Sequence, residues 1–395
     1  MSIIIPVDYH ATAPPSSETA AGWLAQVPAP IAAAHPPELA FVDWRHARPE
    51  TEDLAVLAEL APKELRRQSI SGADRRLILE NVARLWSGAR RCLDKRKPAA
   101  ILLWNCGNAD QNAWAMLARE RSIPIMHVEH GWLPRTRIFD PVGGYVVGRS
   151  DWDRIDHLRV EAEAGASVIE KWRRLGLSKH AQGAEPADSV KRFCRRGGTL
   201  LVAMQLETDG ASVYHRVEHE SQRDFIRHCL KWPGPVLVKR HPVAARVEWE
   251  PAFAKRREHC RLEIEAKGGM WLGANENLHG LFPLVGAVAA INSNVLLEAA
   301  MAGRPAYSFG EGPHSGRGFT RDRRAGDEWG EEDAAPQTED ERTAVCEHVA
   351  RMVQYLTPEG AWLPGWSSAS FWGGELWADA PARLLSKWRR LLGES

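Results

Sequence analysis

Short apolar runs recur along the chain, and several are followed by a loop and then by residues at helical spacing. The clearest are Ala99–Trp104, Ile123–Val128, Thr199–Met204, Val236–Lys239, Ala287–Ile291 and Pro305–Phe309. Runs so short and so continuously apolar suit strands covered on both faces. Strand, helix, strand at this spacing requires parallel pairing with right-handed crossovers. The fold class is therefore α/β, and its ligands belong beyond the carboxyl ends of the strands. One such end carries an unusual cluster, Lys239-Arg240-His241-Pro242, in which three cationic side chains converge before a proline. That chemistry suits a phosphate or another anion.

With 395 residues the chain is too long for one ordinary core, so two domains are expected. The Gly/Ala/Pro-containing stretch from Gly183 to Asp188 is the best linker, which gives domains 1–185 and 186–395. Residues 1–45 are weakly patterned, with strands expected at Ser2–Ile5 and Leu39–Val42. From Glu52 to Lys95 the pattern is helical through Leu54, Leu57, Leu60, Leu77, Val82 and Leu85, interrupted at Pro62 and at Ser71-Gly72. Further helices are expected at Gln111–Arg121, over residues 156–178, and at Glu220–Lys231, Asn277–Leu284, Val295–Ala302, Glu341–Tyr355 and Pro381–Leu392. The last helix is expected to pack back on the N-terminal domain. The stretches Glu129–Gly144 and Gly310–Pro336 read as loops.

Lys plus Arg equals Asp plus Glu at 51 each, so bulk capture of nucleic acid is not expected. Six cysteines are scattered without a CxxC pair, which argues against zinc or a disulfide framework and fits a reducing compartment. The N-terminus lacks the basic and apolar regions of a signal peptide, and no run approaches the roughly 20 apolar residues of a membrane span. A cytoplasmic location is the expectation. Seventeen tryptophans point to core and interface packing before sugar stacking.

Three loops in the second half each follow an expected strand and could open on one edge of one sheet. The first holds Gln205, Glu207 and Asp209, the second Lys239, Arg240 and His241, the third Asn292, Ser293 and Asn294. The third also starts a helix, where Ser293 either caps the backbone or helps to hold phosphate. In the first half, Glu129-His130-Gly131 ends a strand in the same way.

Taken together these motifs resemble the capsule-type retaining β-Kdo transferases, which belong with the capsular polysaccharide synthesis proteins. The resemblance lies in Gln205-Leu206-Glu207-Thr208-Asp209, Lys239-Arg240-His241-Pro242 and Ile291-Asn292-Ser293 running into Leu297-Glu298-Ala299 and Gly303-Arg304-Pro305. Glu129-His130-Gly131, with Pro134 and Asp140-Pro141, is similar to the family's N-terminal acidic-Gly loop. More distantly, the order of motifs is similar to bacterial CMP-sialic acid transferases. The match spans roughly residues 99–145 and 199–312.

The resemblance implies a GT-B-like fold, two Rossmann-like domains facing a cleft, and transfer of Kdo or a related 2-keto sugar acid from a CMP donor. His241 would contact the CMP phosphate, with Lys239 or Arg240 adding charge. Ser293 would hold the same phosphate, flanked by Asn292, Asn294 and Gln205, and Glu298 would lie near the ribose. Asp209 matches the proposed nucleophile, with Glu207 its rival. Glu129 matches the acidic residue opposite the donor, and either it or His130 would act as base. No metal or other cofactor is implied. The implied partners are a nucleotide-sugar donor and a glycan or glycolipid acceptor, with peripheral association at the inner membrane or with an assembly complex. Two rival readings are a sialic acid or polyol-phosphate transferase on the same fold, and a non-catalytic subunit of polysaccharide assembly.

Overall fold

A computed structural model describes residues 1–6, 17–40, 59–72, 74–143, 152–176, 185–244, 251–274, 276–358 and 377–394. The expected helical positions Leu54 and Leu57, Val42 of the second strand, and Gly183 and Ala184 of the linker lie outside these residues. The chain forms two compact units. The first comprises Met1–Gln68, Ala73–His157 and Val353–Ser395, the second Ser69–Gly72 and Leu158–Met352.

In the first unit the strands β1 (Ile3–Pro6), β2 (Pro37–Ala40), β3 (Ala100–Trp104), β4 (Ile125–His130) and β5 (Thr136–Asp140) join β12 (Thr357–Pro358). They form a six-stranded sheet in the order β12-β5-β4-β3-β1-β2. The first four strands are parallel; β5 runs antiparallel to β4, and β12 antiparallel to β5. The helix Arg75–Arg96 starts at Asp74, whose side chain accepts from the Arg76 amide, and buries Val82, Leu85 and Trp86. Leu77, at the solvent side of its first turn, is 55% exposed and does not join the core. The helix Ala380–Leu392 closes the opposite face. It buries Leu384 and Trp388 in a cluster with Ile3, Ile5, Met126, Val128 and Phe139. Lys387 reaches through to donate to the carbonyls of Phe139 (2.8 Å) and Tyr355 (2.9 Å).

The second unit contains β6 (Leu200–Ala203), β7 (Val236–Lys239), β8 (Met270–Leu272), β9 (Ala287–Ala290), β10 (Ala306–Ser308) and β11 (Thr320–Asp322). All are parallel, in the order β11-β10-β9-β6-β7-β8. Numbered from the start of this sheet the order is 3-2-1-4-5-6, the doubly wound arrangement whose switch point lies between β6 and β9. The residues of β6, β7 and β9 are all buried, which is why they read as unbroken apolar runs. At the edges, β8 and β11 have three residues each, and β11 is partly exposed and polar.

Several expectations need correction. Residues 131–140 are not all loop, because β5 pairs with β4, and the Gly131 amide donates to the Thr136 carbonyl at 2.7 Å across the turn. The stretch from Gly310 to Pro336 contains β11 and a short 3-10 helix, Glu331–Ala334. The helix Pro251–Ala266 and strand β8 were not anticipated at all. Residues 158–176 group with the second unit rather than with the first. There the helix Ala162–Leu175 brings Gly165 so close to the Cys346 carbonyl that any side chain would collide with backbone. No helix among the described residues is long and apolar enough to cross a membrane.

Candidate functional site

The loops after β6 and β9 meet at the switch point of the second sheet. Gln205 Nε2 donates to Asn292 Oδ1 at 2.8 Å, and the Asn292 amide donates back to Gln205 Oε1 at 2.8 Å. Asn292 Nδ2 then donates to the carbonyls of Ala211 and Glu311, each at 2.8 Å. One buried asparagine therefore ties together three loops, and every polar atom of its side chain is satisfied.

Within this frame Asp209 begins the short helix Gly210–Tyr214, its carboxylate accepting from the Ala211 amide at 3.4 Å. Glu207 is engaged elsewhere. Its Oε1 accepts from the Gln222 amide at 3.0 Å, at the start of the helix Gln222–Cys229. Each carboxylate thus has one oxygen on a backbone amide, Asp209 by the longer bond, and of the two it is Asp209 that acts electrostatically on His241.

Alternation along the extended chain after β7 sends the basic residues in different directions. Lys239 is 3% exposed, and its ammonium donates to the carbonyls of Arg240 (3.3 Å) and Ala274 (3.2 Å). Burial depresses its pKa to about 8, against the opposing pull of Glu276 and Glu298. Arg240 turns toward the helix Pro251–Ala266 and lines a cavity there. At His241, Nδ1 accepts from the Val243 amide at 3.3 Å, so the proton of the neutral ring sits on Nε2, where it can be donated to an anion. Burial lowers the His241 pKa, the Asp209 carboxylate raises it, and Lys239 lowers it again. Asp209 and His241 are thus electrostatic neighbours.

On the β9 side, Ser293 Oγ accepts from the Val295 amide at 3.4 Å, but from one residue ahead of the helix N-cap, which is Asn294 and not Ser293 as expected. Asn294 donates to Glu298 Oε1 at 3.4 Å. Glu298 is itself buried, behind the loop, and electrostatically coupled to Lys239. Two histidines that the sequence did not single out complete this layer. His314 Nε2 lies 3.2 Å from Asn294 Oδ1, and His314 Nδ1 lies 3.4 Å from His348 Nε2. Burial holds His348 neutral, with His314, Arg317 and Arg351 adding to the effect. A chain of polar contacts thus links His348 through His314 and Asn294 to Glu298. His314 stands in a Gly-rich segment with no local pattern, so nothing in the sequence set it apart.

In the first unit, Glu129 and His130 are the last two residues of β4, not loop residues. Glu129 is buried and His130 exposed. His130 Nδ1 accepts from Arg137 Nη1 at 2.7 Å, and the Arg137 guanidinium lies 4.9 Å from the centre of the Trp104 ring. Among the described residues no group of three His, Cys, Asp or Glu side chains is arranged to hold a metal ion.

Residues 153–355 match the family model described as "Capsule polysaccharide biosynthesis protein". No protein of curated function matches the chain. Among solved structures, a β-Kdo 2,7 transferase, KpsC of Thermosulfurimonas dismutans, is 15% identical, with 72% of this chain and 84% of that chain covered and a TM-score of 0.44. Anabaena Alr3699/HepE in complex with UDP is 12% identical over 90% of this chain and 95% of that one, with a TM-score of 0.38. MnaA of S. aureus with UDP is 13% identical over 79% of each chain, with a TM-score of 0.37. At such TM-scores no residue role passes from these structures to this chain.

Proposed function

The chain belongs to the capsule polysaccharide biosynthesis protein family, and from that premise we propose that it is a retaining glycosyltransferase using a CMP-activated 2-keto sugar acid such as Kdo. The observation that carries this reading is the convergence at the switch point. A carboxylate, Asp209, and an Nε2–H donor, His241, are electrostatic neighbours there, and the Gln205–Asn292 pair holds the loop that bears Asp209.

The chemistry follows from those groups. Asp209 attacks the anomeric carbon as the bond to CMP breaks, and the departing phosphate takes its negative charge to His241 Nε2–H. Ser293 and Asn294, in the loop after β9, are assigned to the same phosphate. The glycosyl-enzyme is then opened by an acceptor hydroxyl, whose proton goes to a general base, the role that the family resemblance leaves to Glu129 or His130. Two displacements at one carbon retain configuration. Glu298, buried beneath the loop, orients Asn294 and is assigned to the ribose side of the nucleotide. The acceptor is a surface glycan or glycolipid.

Purified protein should release CMP from CMP-Kdo in the presence of glycan acceptors; no release across a broad acceptor set would sink the donor assignment. CMP-sialic acid and CDP-glycerol, run in parallel, decide the donor. Asp209→Asn should lose transfer on the order of a thousandfold or more while CMP affinity stays near wild type. Glu207→Gln should keep transfer, and full activity in Asp209→Asn would return the nucleophile's role to Glu207.

A further inference from the structure

Beside the His-Pro corner, the ends of β6 and β7 and the helices Gln222–Cys229 and Pro251–Ala266 enclose a cavity of about 300 Å³. Among the described residues its lining includes four arginines, Arg223, Arg240, Arg256 and Arg257, against one carboxylate, Glu207. The whole chain has a formal net charge of zero, so this excess is local. Of these groups, Arg223 donates to Glu263 at 2.9 Å, and Glu207 accepts from the Gln222 amide. The Cys260 thiol, on the same wall, has its pKa raised by burial and also feels Arg223, Glu207, Glu263 and Arg256, which places these charges around one space. Phe253 supplies an apolar surface. None of Asn292, Ser293 and Asn294 contributes, so the cavity lies on the side of the β6 loop away from the β9 loop, and Gln205 and His241 border both.

Arginines outnumbering carboxylates around an aromatic floor suit a small ligand with one anionic group and one apolar face. The volume is at the low end for ligand pockets and is enough for a single sugar. We propose that this cavity binds an acidic monosaccharide unit of the acceptor, one bearing a carboxylate or a phosphate, on the far side of His241 from the donor. The assignment to the acceptor rests on the transferase reading; the binding of an anionic sugar does not.

Calorimetric titration of the full chain with glucuronic acid, glucose 6-phosphate and glucose tests this directly, with CMP as a parallel ligand. At least one anionic sugar should bind and glucose should not; the preferred one identifies the anion as carboxylate or phosphate. The double variant Arg256→Gln/Arg257→Gln should weaken that binding about tenfold or more and leave CMP affinity within twofold. Ala244→Leu, which fills the cavity without changing charge, should weaken it as well and guards against a folding artefact in the double variant. Equal binding of glucose, no binding of either anionic sugar, unchanged affinity in both variants, or a parallel fall in CMP affinity would each overturn the proposal. Failure to turn over any of CMP-Kdo, CMP-sialic acid and CDP-glycerol would remove the transferase reading and leave these titrations standing.

Discussion

Lys239 sits at the end of β7 with its ammonium on two carbonyl oxygens and almost no contact with water. Its folded-state pKa, about 8, lies below the usual 10.5, so the unfolded chain holds the proton more tightly. The associated stabilisation is present above the unfolded value and is lost as pH falls through about 8. At neutral pH the protein therefore carries a buried charge at a cost, moderated by Glu276 and Glu298. His241 is displaced in the same sense, chiefly by burial, so it is predominantly neutral at pH 7. A bound phosphate would reverse both effects by favouring the charged forms. CMP binding at pH 8 should then take up protons, seen as a dependence of the calorimetric enthalpy on the buffer's ionisation enthalpy. A buffer-independent enthalpy at pH 8 would argue against phosphate at this corner. The basic cluster itself was plain in the sequence. Which member faces an anion was not, because that depends on tertiary neighbours such as Ala274 and Glu298.

At the scale of elements, the switch-point loops are held by one side chain more than by any helix. Asn292→Ala removes three hydrogen bonds at a buried position and leaves Gln205 Nε2 and two carbonyls without their donors or acceptors. At about 1 kcal/mol for each bond, the loss should be about 3 kcal/mol, readable as a lower denaturation midpoint with an unchanged slope. An effect within experimental error would mean that the loops are set by their own turns. The strands carrying these loops were legible because β6, β7 and β9 are buried on both faces. The other elements show what periodicity misses. β5 is preceded by Gly131, Pro134 and an arginine in left-handed conformation, Arg135, and it pairs antiparallel, so its sequence resembles a turn. The helix Pro251–Ala266 buries only Phe253, Cys260 and Ile264, too narrow a stripe to announce itself among its charges. With that helix went Arg256 and Arg257, and so the cavity.

At the scale of the molecule, the division of the chain follows contacts that composition does not encode. The Gly/Ala/Pro stretch suggested a break near residue 185, yet the preceding helix belongs with the second unit through the approach of Gly165 to Cys346. The first unit is likewise incomplete without the helix Ala380–Leu392. Deleting Trp377–Ser395 should abolish hydrogen-exchange protection in β1, β3 and β4 while β6, β7 and β9 keep theirs. Uniform loss, or no loss, would contradict the division. That arrangement also has a consequence in time. A ribosome makes nearly all of the second unit as one stretch, Leu158–Met352, with all six of its strands, while the first still lacks β12 and the helix that covers its sheet. The half of the protein that is translated first is therefore the half that finishes last, and until then the face awaiting Trp388 and Leu384 is a natural surface for a chaperone to guard.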